Sequence, residues 1–186
     1  MRVIGLDPGF IESAFCVYDG SVPLAFRKIR NEELLSHLPE WDDGVLVVEQ
    51  IKNYGMPAGD EIFDTVLWSG RFIQVWDALG RPWTRITRKK VAGHICGNGT
   101  AGDANIWQAL KDRYGGDSKA IGGIRCKQCK GKGWFGAGRP VCSRCNGSTW
   151  EFPPGPLKDL KTSDERSALA LAITWLETHP VSCGGL

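Results

Sequence analysis

Asp7 and Glu49 stand at the ends of two short apolar runs, Val3-Ile4-Gly5-Leu6 and Val45-Leu46-Val47-Val48. Runs of this length and composition read as buried strands. A carboxylate closing such a strand lies against the core, where an unpaired charge is costly. Two of them together point to a shared divalent cation, which neutralises both and can polarise a phosphoryl group. Hard-metal carboxylate sites are how proteins most often cut phosphodiester bonds. Asp164 is the third candidate. It lies near the start of Ser163-Asp164-Glu165-Arg166-Ser167-Ala168-Leu169-Ala170, and taken alone it is a favourable charge in the first turn of a helix. Ser167 is three residues further, on the same helical face, and could hold a metal-bound water. Glu165 is turned roughly 100° away and would reach the site only if the helix start were distorted.

A second constellation is Cys126-Lys-Gln-Cys129, twelve residues, then Cys142-Ser-Arg-Cys145. Two CxxC hairpins at this spacing suit one tetrahedral zinc ion held by four thiolates, a closed structural site. Gly131 and Gly147 follow the two pairs in the same register, letting the chain turn around a metal. Arg125, Lys127, Lys130, Lys132, Arg139 and Arg144 crowd the segment, with Trp134, Phe135 and Trp150 among them. Cations interleaved with aromatics suit phosphate contact and base stacking. The same aromatics would serve equally to pack a small zinc-centred core. Cys16, Cys96 and Cys183 are scattered and read as structural or incidental, and His94 reads as a helix-surface residue.

The elements that must position these groups follow from pattern. Three strands open the chain, the third at 23–29, with a hairpin signal at Asp19-Gly20. A short helix over 31–38 has Asn31 as its expected cap. The strand ending at Glu49 comes next, then a long helix from Pro57 to about Leu79 whose expected buried stripe is Ile62, Val66, Ile73 and Trp76. Gly70 within it is costly unless another backbone packs closely there. A strand at 83–87, a basic helix at 88–96, a Gly-rich turn and a helix at 103–114 follow. Composition then shifts to glycine, proline, cations and paired cysteines. The expected division is a core of 1–116 and 157–186, interrupted by an inserted zinc module at 117–156. A last helix, 162–178, is capped by Ser163 or Thr162 and buries Leu169, Ala172, Ile173 and Leu176. The order βββαβαβα indicates an α/β domain with a mixed sheet and helices on its faces.

Net charge is +2 over 186 residues, but it is unevenly distributed. Residues 81–161 hold 16 Lys and Arg against 5 Asp and Glu, while the remainder holds 7 against 16. Such segregation suits a polyanion on one part and cation binding on the other, although a solvated charged surface gives the same totals. Seven cysteines, an odd number, argue against a disulfide framework. No apolar stretch reaches membrane-spanning length and no signal peptide is apparent, so a soluble, cytoplasmic protein is expected.

The ordered set of motifs resembles the RuvC-like branch of the RNase H-like nucleases, the Holliday-junction resolvases. Gly5-Leu6-Asp7-Pro8-Gly9 matches the end of that family's first strand, and Val47-Val48-Glu49-Gln50 its second acidic position. Asp164 to Ala170 matches the start of its last helix, except that Ser167 occupies the fourth acidic position. Arg88 to Gly93 and Gly97 to Ala101 look like its basic helix and Gly-turn. The resemblance covers residues 1–115 and 160–178. It implies a metal-dependent endodeoxyribonuclease acting on branched DNA such as four-way junctions. Asp7, Glu49 and Asp164 would bind two Mg²⁺ or Mn²⁺ ions and hydrolyse a phosphodiester by a two-metal route. The family's products carry a 5′ phosphate and a 3′ hydroxyl. The long helix would supply a homodimer face. Arg88, Lys89, Lys90, Lys127, Lys130, Lys132 and Arg144 would grip DNA. The cysteine units resemble those of DnaJ-type zinc domains, and an insertion of this kind is more typical of phage-encoded members. Two other classes remain open: a nuclease-inactive junction-binding adaptor, favoured by Ser167, and a zinc-mediated protein-interaction module, favoured by the cysteine pattern.

Overall fold

The structure is a computed structural model that describes residues 1–41, 43–53, 55, 57–134 and 140–179. Phe135, Arg139 and Cys183 lie outside the described residues. The chain forms two compact units, Met1–Trp107 with Lys161–Leu186, and Gln108–Leu160.

The first unit is built on strands β1 (Val3–Asp7), β2 (Glu12–Tyr18), β3 (Pro23–Arg30), β4 (Val45–Gln50) and β5 (Trp83–Thr87). Their order across the sheet is β3-β2-β1-β4-β5. β1, β2 and β3 form an antiparallel meander, and β4 and β5 add in parallel to β1. The C-terminal ends of β1, β4 and β5 therefore share one edge of the sheet, which brings Asp7, Glu49 and Arg88 to it. Side chains alternate along a strand. On one face, Ile4, Leu6, Leu46 and Val48 pack with Leu34, Phe72 and Trp76 from helices α1 (Asn31–His37) and α2 (Asp60–Ala78). The other face receives helix α6 (Ser163–Thr178), which lies along β1 and β2. Helices α3 (Arg88–Cys96) and α4 (Asp103–Arg113) follow β5.

Gly5 sets how closely α6 approaches. A β-carbon there would lie 1.9 Å from the Ala168 carbonyl oxygen and 3.2 Å from the Ala172 amide nitrogen. Helix backbone thus rests directly on strand backbone, and the small residues Ala168 and Ala172 are fully buried at the contact. The middle of α6 is buried on every side, from Ser167 to Thr174, which is broader than the one-sided stripe expected from the sequence. Thr162 is its cap: Thr162 Oγ1 accepts from the Glu165 amide at 3.1 Å, and Glu165 Oε2 accepts from the Thr162 amide at 2.9 Å. This reciprocal capping box holds Glu165 away from the acidic site.

Two expectations are corrected. Asn31 does not cap α1; it is buried, its Nδ2 donates to the Gly9 carbonyl at 2.9 Å, and its Oδ1 accepts from Ser13 at 2.6 Å. α2 buries Thr65, Phe72 and Trp76, whereas Ile62 and Val66 are exposed. The helix carries two apolar stripes, and the sequence reading merged them.

In the second unit, helix α5 (Asp117–Ala120) precedes a two-stranded antiparallel hairpin of β6 (Ile124–Arg125) and β7 (Trp150–Phe152). Its buried cluster is Cys126, Cys129, Cys142 and Cys145. Each CxxC is followed by two residues at positive φ, Lys130-Gly131 and Asn146-Gly147. The two turns repeat one another in conformation, as the register of the glycines anticipated. Among the described residues no helix is long and apolar enough to cross a membrane.

Candidate active site and cysteine cluster

Asp7, Glu49 and Asp164 come from three elements that are distant in sequence, and they meet at one edge of the sheet. Asp7 is raised well above the ordinary carboxylate range, first by burial, then by the charges of Glu49 and Asp164. Glu49 is raised too, by burial and by the charges of Asp103 and Asp164. Burial would also raise Asp164, but hydrogen bonds from Lys28 and Ser163 and the charges of Lys28 and Arg88 hold it below its usual value. A cavity of about 420 Å³ opens over Asp7 and Asp164, lined also by Pro8, Phe10, Ile11 and Lys28.

The turn after β1 is held by a closed set of bonds. The Gly9 amide donates to Ser13 Oγ at 3.1 Å, Ser13 donates to Asn31, and Asn31 returns to the Gly9 carbonyl. Ser13 and Asn31 are buried, so the loop carrying Asp7 is fixed from beneath. Neither residue stands out in the sequence as part of a site. Lys28 on β3 was likewise missed: its Nζ lies 2.7 Å from Asp164 Oδ2. It is an exposed residue of the edge strand β3, on the face that receives α6, and a lysine on an edge strand is ordinarily a solvated charge.

Arg88 opens α3 and turns into the site. Its Nη1 donates to Ser167 Oγ at 2.6 Å and its Nη2 donates to Asp103 Oδ1. Ser167 is buried beside Asp7 and acts to lower that carboxyl's pKa, against the larger effect of burial. Asp103 is the first residue of α4, and nothing local in the sequence marks it as part of a site. Lys89 and Lys90 are exposed on α3. Lys90 faces a different cavity, beside Thr84, Arg85 and His94. His94 pairs with Glu177 at 2.7 Å, a surface contact as expected.

Three carboxylates of which two are raised by burial and mutual repulsion form a donor set that suits hard divalent cations, because a cation removes the cost that holds those values up. Asp7, Glu49 and Asp164 are the side chains placed to hold them.

In the second unit the four cysteine sulfurs lie within 4.8 Å of one another. Cys126 and Cys142 are 3.8 Å apart, Cys129 and Cys145 3.7 Å. A disulfide requires about 2.0 Å, whereas zinc with Zn–S bonds of about 2.3 Å sets tetrahedral edges near 3.8 Å. The cluster can therefore hold one zinc ion. The Gly133 amide donates to Cys129 Sγ at 3.2 Å and helps hold that thiol low, against burial, which favours the thiolate that a metal needs. Lys127, Lys130, Lys132 and Arg144 are exposed around it, with Arg144 paired to Glu151 at 2.5 Å. Trp134 is 55% exposed, while Trp150 is half-buried beneath Arg125, whose guanidinium sits 4.7 Å from the ring centre. The two tryptophans thus divide the roles that the sequence left open: Trp150 packs, and Trp134 presents its ring. Cys16 is buried with its thiol pushed far up by burial.

No protein-family model matches the chain, and no curated protein matches it. Among solved structures, the chain is similar to that of Thermus thermophilus RuvC, at 15% identity and a TM-score of 0.57 over 94% of this chain and 92% of that one. It is also similar to T. thermophilus RuvC in complex with Holliday junction substrate, at 18% identity and a TM-score of 0.56, again over 94% and 92%. The five-stranded mixed sheet flanked by helices is thus a RuvC-like fold.

Proposed function

We propose that this chain is a metal-dependent endodeoxyribonuclease that nicks branched DNA, four-way junctions above all. The observation that carries this reading is the meeting of Asp7, Glu49 and Asp164 beside Arg88 on a RuvC fold. Mg²⁺ or Mn²⁺ bound there, two per site, would supply charge neutralisation and an activated water for phosphodiester hydrolysis. The protein's own part is positioning. Ser13 and Asn31 fix the Asp7 turn, the close seat of α6 on Gly5 fixes Asp164, and Lys28 orients the Asp164 carboxylate. Phe10 and Ile11 stand exposed at the lip of the cavity, where an unstacked base can rest.

The proposed working form is a homodimer. Ile62, Phe63, Val66 and Leu67 leave an apolar face on α2 exposed, and a groove of about 610 Å³ runs over Val66, Leu67 and Gly70. A β-carbon at Gly70 would meet open space, so no backbone among the described residues packs against it; in the proposed dimer the partner's backbone would approach there. We assign residues 117–156 as an inserted DnaJ-like module with one structural zinc, phage-type in character. Its exposed Lys127, Lys130, Lys132 and Trp134, together with Lys89 and Lys90, would contact DNA in a cytoplasmic setting.

The test uses labelled four-way junction, linear duplex and single strand, each with and without Mg²⁺. Symmetric nicks in the junction that require the cation support the reading. Junction binding without any cation-dependent nicking would favour an adaptor, and indifference to DNA would favour a protein-interaction module.

A further inference from the structure

The fourth acidic position of the motif holds Ser167, and the structure shows what that serine touches. Its oxygen accepts from Arg88 Nη1 at 2.6 Å. The other side of the same guanidinium is held by Asp103 from the start of α4. Two anchors from different helices therefore fix both Nη atoms of one arginine. Ser167 is 5% exposed, so its hydroxyl has little freedom to serve water.

We infer that the site works with three acids and a fixed guanidinium, in which Arg88 contacts the scissile phosphate and Ser167 and Asp103 are its positioning residues. This rests on the endonuclease reading and assigns a role within it. A planar guanidinium carries five N–H donors, and the two bonds engage one on each Nη atom. The remaining donors are available to phosphate oxygens, whose geometry the planar fork matches. Arg88 also bears on Asp7, Glu49 and Asp164 electrostatically, so its charge lies where a phosphate bridging the acids would come. A cation oriented before the reaction stabilises charge that develops on phosphate oxygens without reorganising at that moment. A serine at the fourth acidic position fits this arrangement: a neutral hydroxyl accepts from Arg88 without adding a fourth negative charge beside the acids. Ser167 is thereby a positioning residue for the guanidinium.

The experiment combines junction-cleavage kinetics with Mn²⁺ affinity read by electron paramagnetic resonance, on the full chain. Ser167→Ala and Asp103→Asn should each lower kcat about ten- to a hundredfold, the cost of a misplaced group. Both should change Mn²⁺ affinity far less than kcat, by under about threefold, because neither residue supplies a metal ligand. In an Arg88→Ala background, Ser167→Ala should have no further effect, because residues acting as a unit are non-additive. Ser167→Thr, which keeps the hydroxyl, should retain most activity. Thermal melts of each variant separate loss of function from loss of fold. A tenfold or greater loss of Mn²⁺ affinity in Ser167→Ala, or additive effects of the 88 and 167 substitutions, would overturn the inference. Wild-type protein that binds no Mn²⁺ would overturn the endonuclease reading itself, and the two failures are thereby distinct.

Discussion

Asp7 illustrates how a site is legible in energetic terms before any ligand is considered. Its proton is held more tightly in the folded chain than in the unfolded one, because burial and two neighbouring acids oppose ionisation. The native state therefore binds more protons than the unfolded state between the two pKa values, and stability falls as pH rises through that window. Glu49 acts in the same direction, and Asp164, held low, acts in the opposite one. With chelator present, melting temperature should fall as pH rises above the ordinary carboxylate range of about 4. Asp7→Asn should flatten that slope, raise the chelated melting temperature at neutral pH, and lower junction cleavage by roughly a thousandfold while binding persists. An unchanged slope in Asp7→Asn, followed by calorimetry, would show that the carboxylate is not the strained group. At this scale the sequence revealed residue types well and contacts poorly. Asp7, Glu49 and Asp164 are marked by apolar runs and a helix start. Lys28, Asp103, Ser13 and Asn31 are marked by nothing local, because Lys28 meets Asp164 from the far end of the chain, Asp103 meets Arg88 15 positions away, and Ser13 meets Asn31 18 positions away.

Elements were read well where one face is buried and pattern is clean, as in β1, β2, β5 and α3. α2 was misread because a helix with two apolar stripes gives the same periodicity for either, and only packing chooses between them. Thr65, Phe72 and Trp76 pack inward beside Leu34 and Leu38. The seat of α6 on β1 has a sharper consequence. Gly5→Ala would force strand and helix backbones apart, since the added carbon meets a main-chain oxygen at 1.9 Å. Overpacking of this kind costs about 3 kcal/mol, to be read by urea denaturation, and it should reduce cleavage beyond its effect on stability by displacing Asp164. Wild-type stability in Gly5→Ala would refute the close seat. The cysteine hairpins form another testable element. Elemental analysis should give about one zinc per chain. Stripping that zinc should unfold the 124–152 region, seen as rapid proteolysis there, because four clustered thiols with no metal offer little else to fold around. Zinc-free protein that stays resistant would show the cluster to be self-sufficient.

The whole molecule separates its charge, with acids gathered in the RuvC-like unit and cations concentrated between residues 81 and 161. That distribution was fully visible in the sequence, since totals do not depend on contacts. What the sequence could not supply was which cations are free: Arg88 and Arg144 are engaged by Asp103 and Glu151, while Lys127, Lys130 and Lys132 are exposed. Neutralising about six phosphates should make junction affinity fall about a thousandfold between 50 and 200 mM salt, by fluorescence anisotropy. A flat salt response would remove the polyanion from the account. The most direct test of the central claim is an anomalous difference map from crystals grown with Mn²⁺. Density bounded by Asp7, Glu49 and Asp164 is the predicted result. Ordered crystals with those three carboxylates unliganded, or with Mn²⁺ bound only elsewhere, would contradict it.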